Sequence, residues 1–102
     1  GHNTLAWFYF REKKDASKAL ATASLGLATA ADDHGLWDSA AEFAHALGRK
    51  EDALKAATKA ADLDPKDAYY QYQLARFAKL AGKVVPVIAP AAPSTGAAAK
   101  SP

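Results

Sequence analysis

Apolar residues recur at spacings of three and four along most of the chain, the signature of amphipathic helices, and turn-forming residues cut the first 83 positions into five helical stretches. The first spans about residues 4–11 and ends at the charged turn Glu12-Lys13-Lys14-Asp15. The second covers about residues 17–31, with Asp15 placed to cap it by accepting a backbone N–H that lacks an intrahelical partner. Asp32 and Asp33 offer caps to the third, about residues 34–47, which stops at Gly48, the residue that takes a left-handed C-terminal conformation at least cost. The fourth occupies about residues 50–63. In Asp64-Pro65 the aspartate can cap while proline sits at the first helical position, so the fifth is expected to start there and run to Gly82.

From residue 83 the helical period is lost. The segment 83–102, KVVPVIAPAAPSTGAAAKSP, is rich in alanine and proline and reads as an extended or disordered linker. Its cluster of Val84, Val85, Val87 and Ile88 is unusual for a purely flexible linker and admits a second reading, an apolar strap laid against a helix.

The chain also repeats. Ala40-Ala41 and Leu74-Ala75 lie 34 residues apart, as do Gly48 and Gly82, and Lys18-Ala19-Leu20 precedes Asp52-Ala53-Leu54 by the same interval. Leu5-Ala6 stands 35 residues before Ala40-Ala41, which implies one extra residue in the turn at 12–15. A helix pair of this length cannot bury its apolar faces alone, so successive pairs must stack. The expected fold class is all-α, an α-α superhelix of antiparallel helix pairs with about five helices.

Residues 34–67 resemble a tetratricopeptide repeat. Trp37 falls at that family's fourth position, Ala40-Ala41 at the seventh and eighth, Gly48 at the fifteenth, Ala53 at the twentieth, Ala60 at the twenty-seventh and Pro65 at the thirty-second. Residues 3–33 look like a weaker copy without the glycine and proline, and residues 68–82 like a third first helix acting as a terminal cap. Ala44, Lys50 and Ala57 depart from the pattern, standing where bulky aromatic side chains are common, so packing between helices should be tighter or shallower than usual. The resemblance implies a module of about two and a half repeats that holds a partner protein or peptide in a concave groove lined by the first helices. Carried over by position, the groove residues are Asn3, Trp7 and Phe10, then Asp38, Glu42 and His45, then Tyr69, Tyr72, Arg76 and Lys79. Residues three and four apart share a helical face, so the assignment is geometrically consistent. The face mixes aromatics with both charges and suits a peptide with an apolar anchor and polar flanks. The clamp by which some members of the family grip chaperone C-termini is not matched, because its positions carry Asn3, Trp7, Ser39, Tyr69 and Gln73.

Composition sharpens this picture at a few points. Alanine, the best helix former, makes up 27 of the 102 residues and favours closely packed helices. The formal charge of +2 arises from 13 basic and 11 acidic residues that are interspersed, so no block of one sign tracks a phosphate backbone and nucleic acid is not an expected partner. No run of about 18 apolar residues could form a membrane span. There is no cysteine, which leaves a reducing cytoplasm and an oxidising periplasm equally open, and the alanine and proline usage has a bacterial character. Gly1-His2 in place of an initiator methionine reads as a tag scar on a piece of a longer protein, with residues 3–82 as the helical domain.

Each candidate carries a plainer alternative. Trp7 and Phe10 suit a core at the end of the domain equally well, Trp37 reads as core, and Asp38, Glu42 and His45 could form a solvated helix face. The same trio offers oxygen and nitrogen donors in one row, but three ligands on one exposed helix lack the supporting bonds that orient a metal site, and no metal or other cofactor is expected. No nucleophile motif or glycine-rich phosphate loop appears, which argues against an enzyme. The alternative to a partner-binding adaptor is a structural spacer that stacks on further repeats or on itself.

Overall fold

The computed structural model describes residues 1–83 and contains five helices: α1 His2–Arg11, α2 Ala16–Thr29, α3 His34–Ala46, α4 Lys50–Leu63 and α5 Ala68–Leu80. No strand occurs among the described residues. The expectations for the alanine- and proline-rich segment, linker or strap, fall on residues beyond 83 and so outside the described part. The helices form antiparallel pairs, each packed on the next in the chain, in an all-α arrangement of the superhelical type.

The 34-residue interval is built into the helix ends. Helices α3 and α5 begin at 34 and 68 and end at 46 and 80, while α2 and α4 begin at 16 and 50 and end at 29 and 63. Two of the helices also stop in the same way. Gly48 and Gly82 adopt φ of 77° and 75°, and the following N–H reaches back to the third-last helical carbonyl, Arg49 to Ala44 at 2.9 Å and Lys83 to Ala78 at 2.8 Å. Gly48 and Gly82 donate in turn to His45 and Lys79, which completes a Schellman motif at each end. At the end of α1 the left-handed position is filled by Lys14, at φ 54°, and the returning bond runs from Asp15 to the Tyr9 carbonyl, one residue longer. That extra residue is the physical form of the 35-residue offset in the first repeat.

At the helix starts, Asp15 accepts from the Lys18 N–H at 2.9 Å and Asp33 from Leu36 at 3.0 Å, both as expected, with Asp33 rather than Asp32 serving α3. The start of α5 differs from expectation. Pro65 is not its first residue: Asp64 closes α4 and accepts a turn bond from Asp67, and Asp67 caps α5 by accepting from Tyr69 at 2.9 Å. Proline is as well suited to the second position of a four-residue turn as to a first helical turn, and a second aspartate three residues on decides between them. Helix α1 begins at His2, two residues before the expected start, and the His2 Cβ lies against Gly26 of α2, where an added Cβ would stand 2.7 Å from it.

The core divides by residue size. On the second helices it is mostly alanine: Ala53, Ala56, Ala57, Ala60 and Ala61 on α4 are all buried, as are Ala19 and Ala23 on α2 beside Thr22 and Leu27. On the first helices Phe43 and Phe77, 34 residues apart, are the two largest fully buried side chains. Small residues let the α3 and α4 backbones approach closely, and the two phenylalanines fill the wider space between pairs. Trp37 packs against the core but keeps one edge outside, its indole N–H donating to the Ala31 carbonyl at 2.7 Å.

Candidate functional site

Two polar seams join the first helices of successive pairs. In one, the Ser39 hydroxyl of α3, 4% exposed, accepts the Trp7 indole N–H at 2.8 Å and donates to Asn3 Oδ1 at 2.7 Å, tying α3 to α1. In the other, the side-chain amide of Gln73, 3% exposed on α5, donates to Glu42 Oε2 at 2.7 Å and Asp38 Oδ1 at 3.2 Å on α3. Its carbonyl oxygen accepts from Arg76 Nη1 at 3.0 Å, and the Arg76 guanidinium meets the Glu42 carboxylate with both terminal nitrogens, at 2.9 and 3.4 Å. The Tyr69 hydroxyl adds a 3.2 Å bond to Asp38 Oδ2. Ser39 and Gln73 occupy equivalent places 34 residues apart, so the repeat puts a buried polar side chain at each junction between first helices.

The network holds two carboxylates and one guanidinium, and their environments differ. Burial pushes the Asp38 carboxyl above its ordinary value of 3.8, an effect opposed by the Gln73 bond, reinforced by the nearby Glu42 charge and opposed again by Tyr69 and Arg76. Both of its hydrogen-bond donors are neutral. Glu42 takes the cation, and its bond to Arg76 holds that guanidinium protonated even more firmly than usual. Burial, with the Asp38 and Glu42 charges behind it, raises the Tyr69 phenol well above 10.0 and keeps it a donor. Tyr70, whose ring meets that of Tyr69 at 5.5 Å, is pushed up to about 12 by burial and then by Asp38, Asp67, Asp64 and Asp33, and its hydroxyl lies 2.8 Å from His34 Nδ1.

Beneath the seams lie two groups of ring contacts. Trp7 and Phe10 meet Phe43 with ring centroids 4.7 and 5.2 Å away, and each other at 5.5 Å, geometry worth about 0.5–1.5 kcal/mol per pair beyond area burial. His45 packs edge-on to Phe77 at 5.7 Å, its buried Nδ1 without a hydrogen-bond partner among the described residues. Guanidinium groups cover the rings from outside, Arg11 over Trp7 at 4.7 Å and Arg76 over Phe77 at 4.6 Å. Beside Trp7 a recess of about 430 Å³ opens between Asn3, Phe8 and Arg11.

Of the ten residues singled out by sequence, the fold gathers Asp38, Glu42, Tyr69 and Arg76 into one network and joins Asn3 to Trp7 through Ser39. Phe10 and His45 turn towards the buried phenylalanines. Tyr72 is half-buried and Lys79 exposed, and neither makes a side-chain hydrogen bond among the described residues. Asp38 and Glu42 thus share the Gln73 amide while His45 turns to Phe77, and no group of three or more His, Asp or Glu side chains among the described residues is arranged to hold a metal ion. The bridging roles of Ser39 and Gln73 are not evident from sequence. A signal for them exists, since both are polar residues at the repeat interval, but a small polar side chain on a helix face looks solvated until the neighbouring helix is in place.

No described helix is long and apolar enough to cross a membrane. No protein-family model matches the chain, and comparison with curated proteins returns no similar sequence.

Proposed function

We propose that the chain is a tetratricopeptide-like binding module that holds an extended segment of a partner protein across the exposed face of α1, α3 and α5. The observation that carries this reading is the Asp38–Tyr69–Gln73–Glu42–Arg76 network, a charged, partly buried array running across α3 and α5, with a recess beside Trp7 on α1. Rigid side chains locked by their own hydrogen bonds lose little entropy on meeting a ligand, which is what a recognition surface needs. Asp38 has only neutral donors while Glu42 has the guanidinium, so the network carries one carboxylate in excess. A basic ligand side chain would supply the missing countercharge, and an apolar neighbour would enter the recess beside Trp7.

Peptide display against the immobilised chain tests the proposal. Selected sequences should be enriched in Lys or Arg next to an apolar residue, and the double substitution Glu42→Ala with Arg76→Ala should weaken them by roughly thirtyfold or more, the effect of losing a contact worth 2 kcal/mol at the centre of an interface. If no peptide is enriched, or if the double variant retains every peptide, the spacer reading takes its place. Light scattering then asks whether the chain self-associates.

A further inference from the structure

At the end of α1 the molecule carries a second charged surface, opposite in sign to the network on α3 and α5. Residues 11–18 hold four cations, Arg11, Lys13, Lys14 and Lys18, against two carboxylates, Glu12 and Asp15. Of the three arginines, Arg49 pairs with Asp52 and Arg76 with Glu42, whereas Arg11 meets no carboxylate among the described residues. Asp15 is engaged elsewhere, capping α2 by accepting from the Lys18 N–H at 2.9 Å. Helix dipoles supply no countercharge either. The end of α1 and the start of α2 meet at this turn, and their opposite charges of about half a unit each offset one another.

Arg11 and Lys14 together line a recess of about 470 Å³ whose other walls are Phe10, Ala16 and Ala46. Two local features fix the cations there. The Arg11 guanidinium is stacked over Trp7, 4.7 Å from the ring centre. Lys14 takes the left-handed conformation, φ 54°, in the turn where the Asp15 N–H reaches back to the Tyr9 carbonyl at 3.0 Å. A carboxylate entering this recess meets a guanidinium fork and an ammonium beside apolar walls that keep water from one side. Charge-assisted hydrogen bonds are strong under those conditions.

We propose that this recess takes an acidic side chain, Asp or Glu, from the same partner segment whose basic side chain lies at Asp38. The site rests on the binding mode proposed above and gives it a direction. Asp38 bonds to Tyr69 and Gln73 on the α5 side of α3, and Ala46, eight residues later on the same helix, borders the recess on the α1 side. Eight residues of helix rise ~12 Å, which an extended segment covers in about four residues at ~3.3 Å each. The ligand thus crosses α3 obliquely, its basic residue at Asp38 and its acidic residue about four positions away at Arg11 and Lys14. Arg11 also borders the recess beside Trp7, which places the apolar residue between the two charges.

A random peptide library selected in parallel on the native chain and on Arg11→Gln with Lys14→Gln tests this site. Both positions are exposed, so the helical domain should be unchanged, which circular dichroism checks. Peptides taken by the native chain should carry Asp or Glu about four positions from Lys or Arg. Those taken by the variant should keep the basic and apolar residues and lose the acidic preference. A selected peptide is then synthesised with an amidated C-terminus, so that only a side chain supplies the carboxylate. Replacing its acidic residue by the amide should weaken binding to the native chain roughly tenfold or more, and to the variant by less than about twofold. Basic and apolar enrichment without an acidic preference, or an acidic preference that survives in the variant, would overturn this site and leave the binding mode standing. So would a peptide that binds only with its C-terminus free, since the chain end would then be the occupant. If neither chain enriches any peptide, the binding mode fails and the site falls with it.

Discussion

The two layers of this molecule are built from the same 34-residue repeat by opposite means. The second helices, α2 and α4, bury mostly alanine, with Thr22 and Leu27 of α2 the larger exceptions, and contribute close backbone contact. The first helices, α1, α3 and α5, carry the aromatic anchors and the side-chain hydrogen bonds that tie Asn3 and Trp7 to Ser39, and Asp38 and Glu42 to α5. Within a pair, then, the fold relies on small size, and between pairs on aromatic volume and polar bridging. A surface meant to discriminate among ligands needs varied chemistry, and only the layer that bridges between pairs has it. The alanine layer gains a close fit and leaves a groove where larger side chains are missing.

That contrast predicts how each layer fails. The largest effect should come from Phe43→Ala, which removes the fully buried ring on which Trp7 and Phe10 both pack; truncating such a side chain costs about 3–5 kcal/mol. Chemical denaturation should show the loss as a lower midpoint with the slope retained. A cost below about 1 kcal/mol would mean that the aromatic cluster does not hold the pairs together.

The alanine layer should fail in the other direction. Ala53 is 1% exposed at the start of α4, so Ala53→Leu overfills a seam that depends on small residues and should destabilise by about 1–3 kcal/mol. If leucine is accepted there without loss, close approach of the backbones is not what the alanines provide.

How much of this is legible in the sequence differs between the layers as well. The interval between Gly48 and Gly82, and the caps at Asp15 and Asp33, are local signals that depend on a few neighbouring residues, and they delimit the helices correctly. The start of α5 lies later than Asp64-Pro65 suggests, because that dipeptide satisfies the rules for a turn and for a helix start, and only the geometry of Asp67 separates them. The polar seams are half legible. Position within the repeat indicates that Glu42 and Arg76 project into the same space from adjacent helices, and they meet at 2.9 Å. Gln73, which holds the network together, owes its role to the orientation of α5 on α3, a property of tertiary packing. The small residues at 44 and 57 signal altered packing without saying where the space goes, and at Ala44 it becomes the floor of a groove.

A smaller effect is expected where the bridging layer meets water. The Glu42–Arg76 pair has side-chain exposures of 24% and 33%, and removing both partners together leaves no uncompensated charge. Glu42→Ala with Arg76→Ala should therefore cost about 1 kcal/mol or less in thermal or chemical unfolding. Each single substitution should cost more than the pair does, because it strands the other charge beside Gln73.

Asp38 gives the smallest and most selective comparison, because it isolates one proton. Its folded pKa is raised, chiefly by burial, so the folded state holds the proton more tightly than the unfolded state, whose value is near 3.8. The stability linked to that proton is fully present below 3.8 and is lost as pH rises through the folded value. Asp38→Asn keeps an oxygen that can accept from Tyr69 or Gln73 but removes the titration. The stability of the native chain minus that of the variant should thus decline as pH increases from about 3.8, then level off once Asp38 is ionised in both states. Other carboxylates shape each curve separately and cancel in the difference. A difference that grows with pH would mean that the bonds from Gln73 and Tyr69, with the Arg76 charge, outweigh burial, and that Asp38 has no unmet charge to offer a basic ligand.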